Sequence, residues 1–255
     1  MRFDHAVIAV RDLAAASERL CAVGFEVRPG GRHLGFGTEN AIVRFGLDYL
    51  ELITVCDEAE AERASARSRA LAEFLRSHGS GFVGFALAAD DLDDVARRLR
   101  AIGQEVEGPT PMRRRRPDGT VLEWRLLIPG AVAWRRPWPF FISWSLPDVE
   151  RLTVERPGSH LAGVAAVSGI SVQVEDLERA RALYAAVLGP SAVASDARLA
   201  FRVGDLTIEL VGPSDARAPG LARGPGPFEL RLRLKDPGRP RPAEEVLPAV
   251  LFRYE

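Results

Sequence analysis

Lysine is almost absent from this chain: Lys235 is the only one in 255 residues, and the positive charge rests on arginine. The formal net charge is -1. A chain this close to neutral gives no bulk electrostatic reason to bind nucleic acid or an anionic membrane. Cysteine is equally scarce. Cys21 and Cys56 lie far apart with no Cys-x-x-Cys, which excludes a disulfide framework or a zinc knuckle. Both sit in apolar runs and are expected as buried thiols. No uncharged stretch reaches the ~18 apolar residues that a membrane span needs. The start, Met1-Arg2-Phe3-Asp4-His5, lacks the charged-then-apolar pattern of a secretory leader, so the cytoplasm is the expected compartment. Histidine is limited to His5, His33, His78 and His160, and any histidine-rich centre must draw on these.

What is present is an ordinary globular composition, 47% hydrophobic and 27% charged, arranged in a repeat. Three times a β-like run ends in an acidic residue plus leucine, opens a helix, and stops at glycine about three turns later. The copies run from Phe3 through Asp12-Leu13 to Gly24, from Phe82 through Asp91-Leu92 to Gly103, and from Ile170 through Asp176-Leu177 to Gly189. Asp12, Asp91 and Asp176 stand 79 and 85 residues apart. Each aspartate suits an N-cap, where its carboxylate accepts bonds from unpaired amides of the first turn. Each glycine suits the left-handed position that ends a helix. Leu92, Val95, Leu99 and Ile102 mark an apolar helix face at the required spacing, as do Ala180, Leu183, Tyr184 and Val187.

Strand signals follow each helix: Phe25–Val27, Asn40–Phe45 and Tyr49–Val55, then Glu105–Glu107, Val121–Ile128 and Phe140–Trp144, then Arg198–Val203 and Leu206–Val211 around the Gly204-Asp205 turn. The unit is β-α-β-β-β, and the fold class is α+β. Residues 1–56 and 82–145 are expected as two such modules, joined by a helix over 57–78 into one domain spanning 1–145. Residues 146–163 are expected as a linker, and 164–255 as a third module with one extra strand, Phe228–Leu234. The Pro/Gly-rich segments 213–227 and 236–242 are expected as loop.

Paired β-α-β-β-β units resemble the vicinal-oxygen-chelate superfamily of glyoxalases, extradiol dioxygenases and bleomycin-resistance proteins. Within it the chain resembles a glyoxalase-like domain family with a Gly-Gly-Arg-His loop. The resemblance lies in Phe3-Asp4-His5-Ala6-Val7, Gly30-Gly31-Arg32-His33, Gly37-Thr38-Glu39-Asn40-Ala41, Tyr49-Leu50-Glu51-Leu52, Arg116-Pro117-Asp118-Gly119 and Pro139-Phe140-Phe141-Ile142-Ser143-Trp144. It implies two curved sheets facing each other around a cup. It also implies that the first and last strands of each unit are neighbours, and that a divalent metal often sits in the cup.

His5 and Glu51 match two of the superfamily's ligand places, a pairing that suits Zn, Fe, Mn or Ni. The matching places in the second unit are Gly84 and Ser143, neither a normal ligand, so two protein donors stand where three are usual. A metal-free pocket, with His5 and Glu51 binding substrate or each other, is the competing expectation. A glutamate facing inward needs such a partner, because an unpaired buried charge costs several kcal/mol. His33 is expected in a loop, as an acid, base or third donor if that loop folds over the cup. Arg32 and Asn40 are expected as ligand contacts beside it.

Arg113-Arg114-Arg115-Arg116 alternate along a strand, so Arg114 and Arg116 share a face and could clamp an anionic group. Phe141 and Ser143 face one way and Phe140, Ile142 and Trp144 the other, and Phe141 or Trp144 is expected in the cavity wall. A glyoxalase-like enzyme on a small, anionic molecule is the leading functional expectation, with His5, Glu51 and His33 catalytic. A non-catalytic small-molecule binder of the bleomycin-resistance type is the alternative. The third module, lacking a partner unit, suggests a homodimer.

Overall fold

The computed structural model describes residues 1–130, 134–218, 224–238 and 240–255. In chain order the elements are β1 (Arg2–Val10), α1 (Leu13–Ala22), β2 (Arg28–His33), β3 (Thr38–Arg44), β4 (Tyr49–Val55), α2 (Glu58–Ala64) and α3 (Ala66–His78). Then come β5 (Ser80–Ala88), α4 (Leu92–Ala101), β6 (Val106–Arg115), β7 (Val121–Pro129), β8 (Phe140–Trp144) and α5 (Asp148–Val154). The rest is β9 (Val164–Gln173), α6 (Leu177–Leu188), β10 (Val193–Ala194), β11 (Arg198–Val203), β12 (Leu206–Val211), β13 (Gly226–Leu234) and β14 (Leu251–Tyr254).

The repeat read from the caps is present in the strand pairing. The carboxylates of Asp12, Asp91 and Asp176 accept bonds from the amides of Ala15, Asp94 and Glu178 respectively. Gly24, Gly103 and Gly189 take φ of +91°, +77° and +83°, which only glycine adopts without strain. In each copy the first strand then pairs in parallel with the last: β1 with β4, β5 with β8, and β9 with β12. This fold is α+β with curved mixed sheets.

The first two copies close on each other. Antiparallel pairing of β1 with β5 and of β2 with β6 makes an eight-stranded barrel in the order β1-β4-β3-β2-β6-β7-β8-β5. Closure removes the sheet edges. Period-two alternation then sorts the side chains of β1. Val7 and Ala9 pack inside with Ile53, Val83, Ile142 and the α3 residues Leu71 and Phe74. Ala6, Ile8 and Val10 pack outside against α1, α4 and the second sheet. By strict alternation Phe3 would lie on the face of His5. It joins the outer core instead, because the β1–β5 register shifts between Phe3 and His5.

The second sheet has the order β10-β11-β12-β9-β13-β14. Here β13 pairs antiparallel with β9 and parallel with β14, as β5 pairs with β1 and β8. The tail therefore holds two strands rather than one, in the places a fourth unit's first and last strands would occupy.

Several local expectations change. Residues 25–27 form no strand; Phe25 packs in the core after α1, and the strand is the glycine-rich Arg28–His33. The helix over 57–78 is two helices, since Ser65 is extended and caps α3 through the Ser68 amide. The 146–163 linker contains α5. Cys21 and Cys56 are exposed rather than buried, one on the outer face of α1 and the other past the end of β4. Of the expected loops, residues 219–223 and 239 lie outside the described residues, and β13 begins at Gly226. No helix among the described residues is long and apolar enough to cross a membrane.

Candidate functional site

The barrel is hollow at one end, with about 680 Å³ of unfilled space counting its open mouth. Its polar wall comes from β1, β2, β4 and β6, which present His5, His33, Glu51 and Arg114. Its apolar wall comes from Trp124, Trp134, Trp144 and Phe140, with Phe36 and Leu71 closing the side nearest α3.

Alternation along parallel neighbours brings His5 and Glu51 together. Val7 stands opposite Glu51 and His5 opposite Tyr49, so both side chains face inward on adjacent strands. His5 Nε2 lies 3.5 Å from Glu51 Oε2. His33, the last residue of a strand rather than part of a loop, brings its Nε2 to 3.7 Å from Glu51 Oε1. One carboxylate therefore stands between two imidazoles, each facing a different oxygen. Asn40 donates its amide to Oε1 of the same carboxylate.

Both imidazoles are held from behind. His5 Nδ1 is 2.8 Å from Asp4 Oδ1, and the ring stacks on Tyr49 at 4.6 Å between centroids. Arg44 covers the Tyr49 ring at 4.4 Å. His33 Nδ1 is 2.9 Å from Thr38 Oγ1, and Trp124 meets its ring edge-on at 6.0 Å. Burial pushes the His33 imidazole down to about 4, with Arg114 and Arg67 adding to the effect and Glu51 opposing it. His33 is neutral at pH 7. Burial works against charge on Asp4 too. The bond from His5 and the guanidiniums of Arg151 and Arg2 overcome it and hold Asp4 well below the usual carboxylate range.

Glycine makes this arrangement possible at two adjacent places. A Cβ on Gly30 would collide with Oδ1 of Asn40, the residue whose Nδ2 amide holds Glu51. Gly31 has φ +128°, and a Cβ there would meet the Arg115 carbonyl at 2.0 Å, where β2 joins β6 to close the barrel. The glycine-rich segment thus serves barrel closure and the seat of Asn40.

The other expected residues divide. Arg114 reaches the cavity but is 1% exposed, bonded to Glu155 and 3.4 Å from Asn40 Oδ1. Arg116 approaches the same Glu155 at 3.7 Å from outside the cavity and also pairs with Asp118. Arg32 points away and pairs with Glu60 and Asp57, because neighbours along a strand face opposite ways and His33 faces in. Trp144 lines the cavity and donates Nε1–H to Asp4. Phe141 does not line it: its face of β8 belongs to the outer core, fully buried, while Phe140, Ile142 and Trp144 turn inward.

Three important arginines and acids escaped the sequence reading. Arg151, on the helix within the expected linker, is fully buried, pairs with Asp4 and lies 3.8 Å above the Trp144 ring. Glu155 just beyond it binds Arg44 and Arg114. Arg67, in the first turn of α3, lines the cavity. Its signal was readable, since residues 67, 71, 74 and 75 form one helical face and the other three are apolar.

The donor set does not fit a three-ligand catalytic metal centre. His5 and His33 each face a different oxygen of Glu51, and Gly84 and Ser143, the places where a second pair of ligands would stand, are absent from the cavity wall. Among the described residues no group of three or more His, Cys, Asp and Glu side chains is placed to hold a metal ion. Arg114 and Arg67 oppose positive charge at His33, while Glu51 favours it.

Known proteins supply the frame for this site. No curated protein matches the chain. Among solved structures, a hypothetical protein from Staphylococcus aureus superposes with a TM-score of 0.77 at 16% identity, covering 99% of this chain and 98% of its own. A mutant 4-hydroxymandelate synthase from Streptomyces coelicolor gives 0.57 at 18% identity, over 92% of this chain and 71% of its own. The Mn(II)-bound glyoxalase from Novosphingobium aromaticivorans gives 0.53 at 14% identity, over 92% and 66%. At such identities the likeness is one of fold. The profile of the glyoxalase-like domain matches residues 3–188, and the chain belongs to that family.

Proposed function

We propose that the barrel cavity is an active site for proton transfer on a small organic acid, with Glu51 as the base. The observation that carries this reading is one inward-facing carboxylate flanked by two imidazoles that are fixed from behind by Asp4 and Thr38. Fixed orientation is what general acid–base catalysis asks of its groups.

Glu51 takes a proton from the substrate and His5 and His33 serve the opposite end of the transfer. A neutral His33 offers one N–H and one lone pair. With the Thr38 hydroxyl donating to Nδ1, its Nε2–H faces the cavity as an uncharged hydrogen-bond donor to developing negative charge. The aromatic wall excludes water around the reacting atoms and strengthens these interactions. No step needs a metal.

Phenylpyruvate is a suitable test compound, since it carries a carboxylate, an apolar ring and a C–H made acidic by a carbonyl. In D₂O, proton NMR should show its C3 hydrogens exchanging faster with the protein than without it, and Glu51→Gln should remove the acceleration. Exchange that appears only with added Mn²⁺ and vanishes with a chelator supports the metal-assisted route instead. Tight binding with no accelerated exchange supports a sequestering protein, which the three tryptophans of the wall would also suit.

A further inference from the structure

The arginines that the sequence offered as substrate clamps are already engaged: Arg114 with Glu155, Arg116 with Asp118 and Arg32 with Glu60. The uncommitted guanidinium is another. Around the barrel the buried charged side chains are Arg44, Arg67, Arg114 and Arg151 against Asp4, Glu51 and Glu155. Glu155 pairs with Arg44 and Arg114, and Asp4 with Arg151. Glu51 is met by His5, His33 and Asn40. Arg67 forms no ion pair with a carboxylate among the described residues, and the carboxylate whose charge acts on it, Glu107, is exposed and out of contact. It is 7% exposed, its Nη1 is buried without a partner, and Nη2 reaches only the weak acceptor Met112 Sδ at 3.4 Å.

A buried guanidinium with one orphaned nitrogen is costly unless a ligand completes it. Arg67 is the second residue of α3, after the Ser65 cap and Ala66; its neighbour Ser68 also lines the hollow, and the Phe36 ring lies 5.6 Å from the guanidinium. The buried charges sum to one unmatched positive unit, and the inward Glu51 repels a second anionic group. We propose that Arg67 is the anchor for the single carboxylate of an aromatic or bulky apolar monocarboxylic acid, whose body lies against Trp124, Trp134 and Trp144. This assignment deepens the reading of the cavity as a site for small organic acids and rests on it. It excludes phosphate esters and dicarboxylates as preferred ligands.

The test is a tryptophan-fluorescence titration of the full chain with phenylacetate, its neutral amide phenylacetamide, and the dianion phenylmalonate. The wild type should bind phenylacetate at least tenfold more tightly than either of the others. Arg67→Met should bind acid and amide equally, and Arg67→Lys should recover part of the preference. Arg67→Met should melt no lower than the wild type, because it removes an unpaired buried charge; if it fails to fold, the acid–amide comparison in the wild type and in Arg67→Lys still decides. No binding of phenylacetate at millimolar concentration, equal binding of acid and amide by the wild type, or a preference kept by Arg67→Met overturns the proposal. Glu51→Gln separates the two claims. That variant should keep the carboxylate preference and lose the exchange; in the wild type, the preference with no proton exchange sinks only the role of Glu51 as base, and exchange without the preference sinks only Arg67 as anchor.

Discussion

His5 Nε2 and Glu51 Oε2 face each other at 3.5 Å from two parallel neighbouring strands, although 46 residues separate them in the chain. The pairing needs only period-two alternation and a parallel register in which Val7 stands opposite Glu51. Each oxygen of the carboxylate then faces a different imidazole, since His33 Nε2 lies 3.7 Å from Oε1. The proposed proton transfer from substrate to Glu51 rests on that arrangement.

The depressed His33 makes stability depend on pH. Its folded pKa, about 4, lies below its ordinary value of 6.5, so the unfolded chain takes up a proton that the folded chain refuses. Stability from this group is complete above pH 6.5 and is lost as pH falls toward 4. At about 1.4 kcal/mol per pH unit, the loss is on the order of 3 kcal/mol. His160, also lowered by burial, acts in the same direction, and Asp4 contributes only at still lower pH. Urea midpoints from pH 7 to 4.5 should fall steeply for the wild type and less steeply for His33→Gln. Parallel curves would contradict the burial of a neutral imidazole.

Asp4→Asn should be among the most damaging single changes outside the aliphatic core. It leaves Arg151 fully buried with only the more distant Asp148 and Glu155, at 3.9 and 4.0 Å, an imbalance that costs up to roughly 3–5 kcal/mol. Replacing Arg151 by Met in the same chain should recover part of the loss, because the two sites are coupled. Chemical denaturation of the two single variants and the double variant measures that coupling, and strict additivity would argue against it.

Gly30→Ala and Gly31→Ala should differ in how they are rescued. At Gly30 the obstacle is the Asn40 side chain, so the overpacking cost of roughly 1–3 kcal/mol should shrink when Asn40→Ser is added. At Gly31 the obstacle is the Arg115 backbone together with positive φ, and no side-chain trimming at residue 40 should help. Thermal midpoints of the four variants decide between the two accounts.

Much of the fold was legible because its signals are local. Asp12, Asp91 and Asp176 cap helices by a bond to amides two or three residues away, and Gly24, Gly103 and Gly189 end them through one backbone angle. His5 and Glu51 were legible for the same reason, since alternation fixes which way a strand residue points. The bulge after Phe3 was not legible, because it arises from the partner strand's register. Neither were Arg151 and Glu155. Their segment carries no periodic apolar face, and only the distant partners Asp4, Arg44 and Arg114 show why charged groups are buried there. Phe25–Val27 reads as β-like, but Phe25 is spent on the core, and strand pairing falls to the glycines that let β3 and β6 approach.

The two faces of β8 offer a check on the cavity wall. Phe141→Leu should lower stability by roughly 1–3 kcal/mol and leave ligand affinity unchanged, because its ring packs away from the hollow. Phe140→Leu should instead weaken binding of phenylacetate, since Phe140 lines the hollow and meets the His5 ring edge-on at 5.5 Å. Fluorescence titration and thermal melting of both variants would reveal the opposite assignment if the strand faces were exchanged.

Glu51 as a base is tested most directly by the rate at which phenylpyruvate loses its C3 protons to D₂O, followed by NMR without added metal. The wild type should accelerate this exchange, and Glu51→Gln, which keeps an oxygen for the Asn40 amide, should fold normally and slow it by roughly a hundredfold or more. Equal rates for the wild type and Glu51→Gln would contradict the assignment.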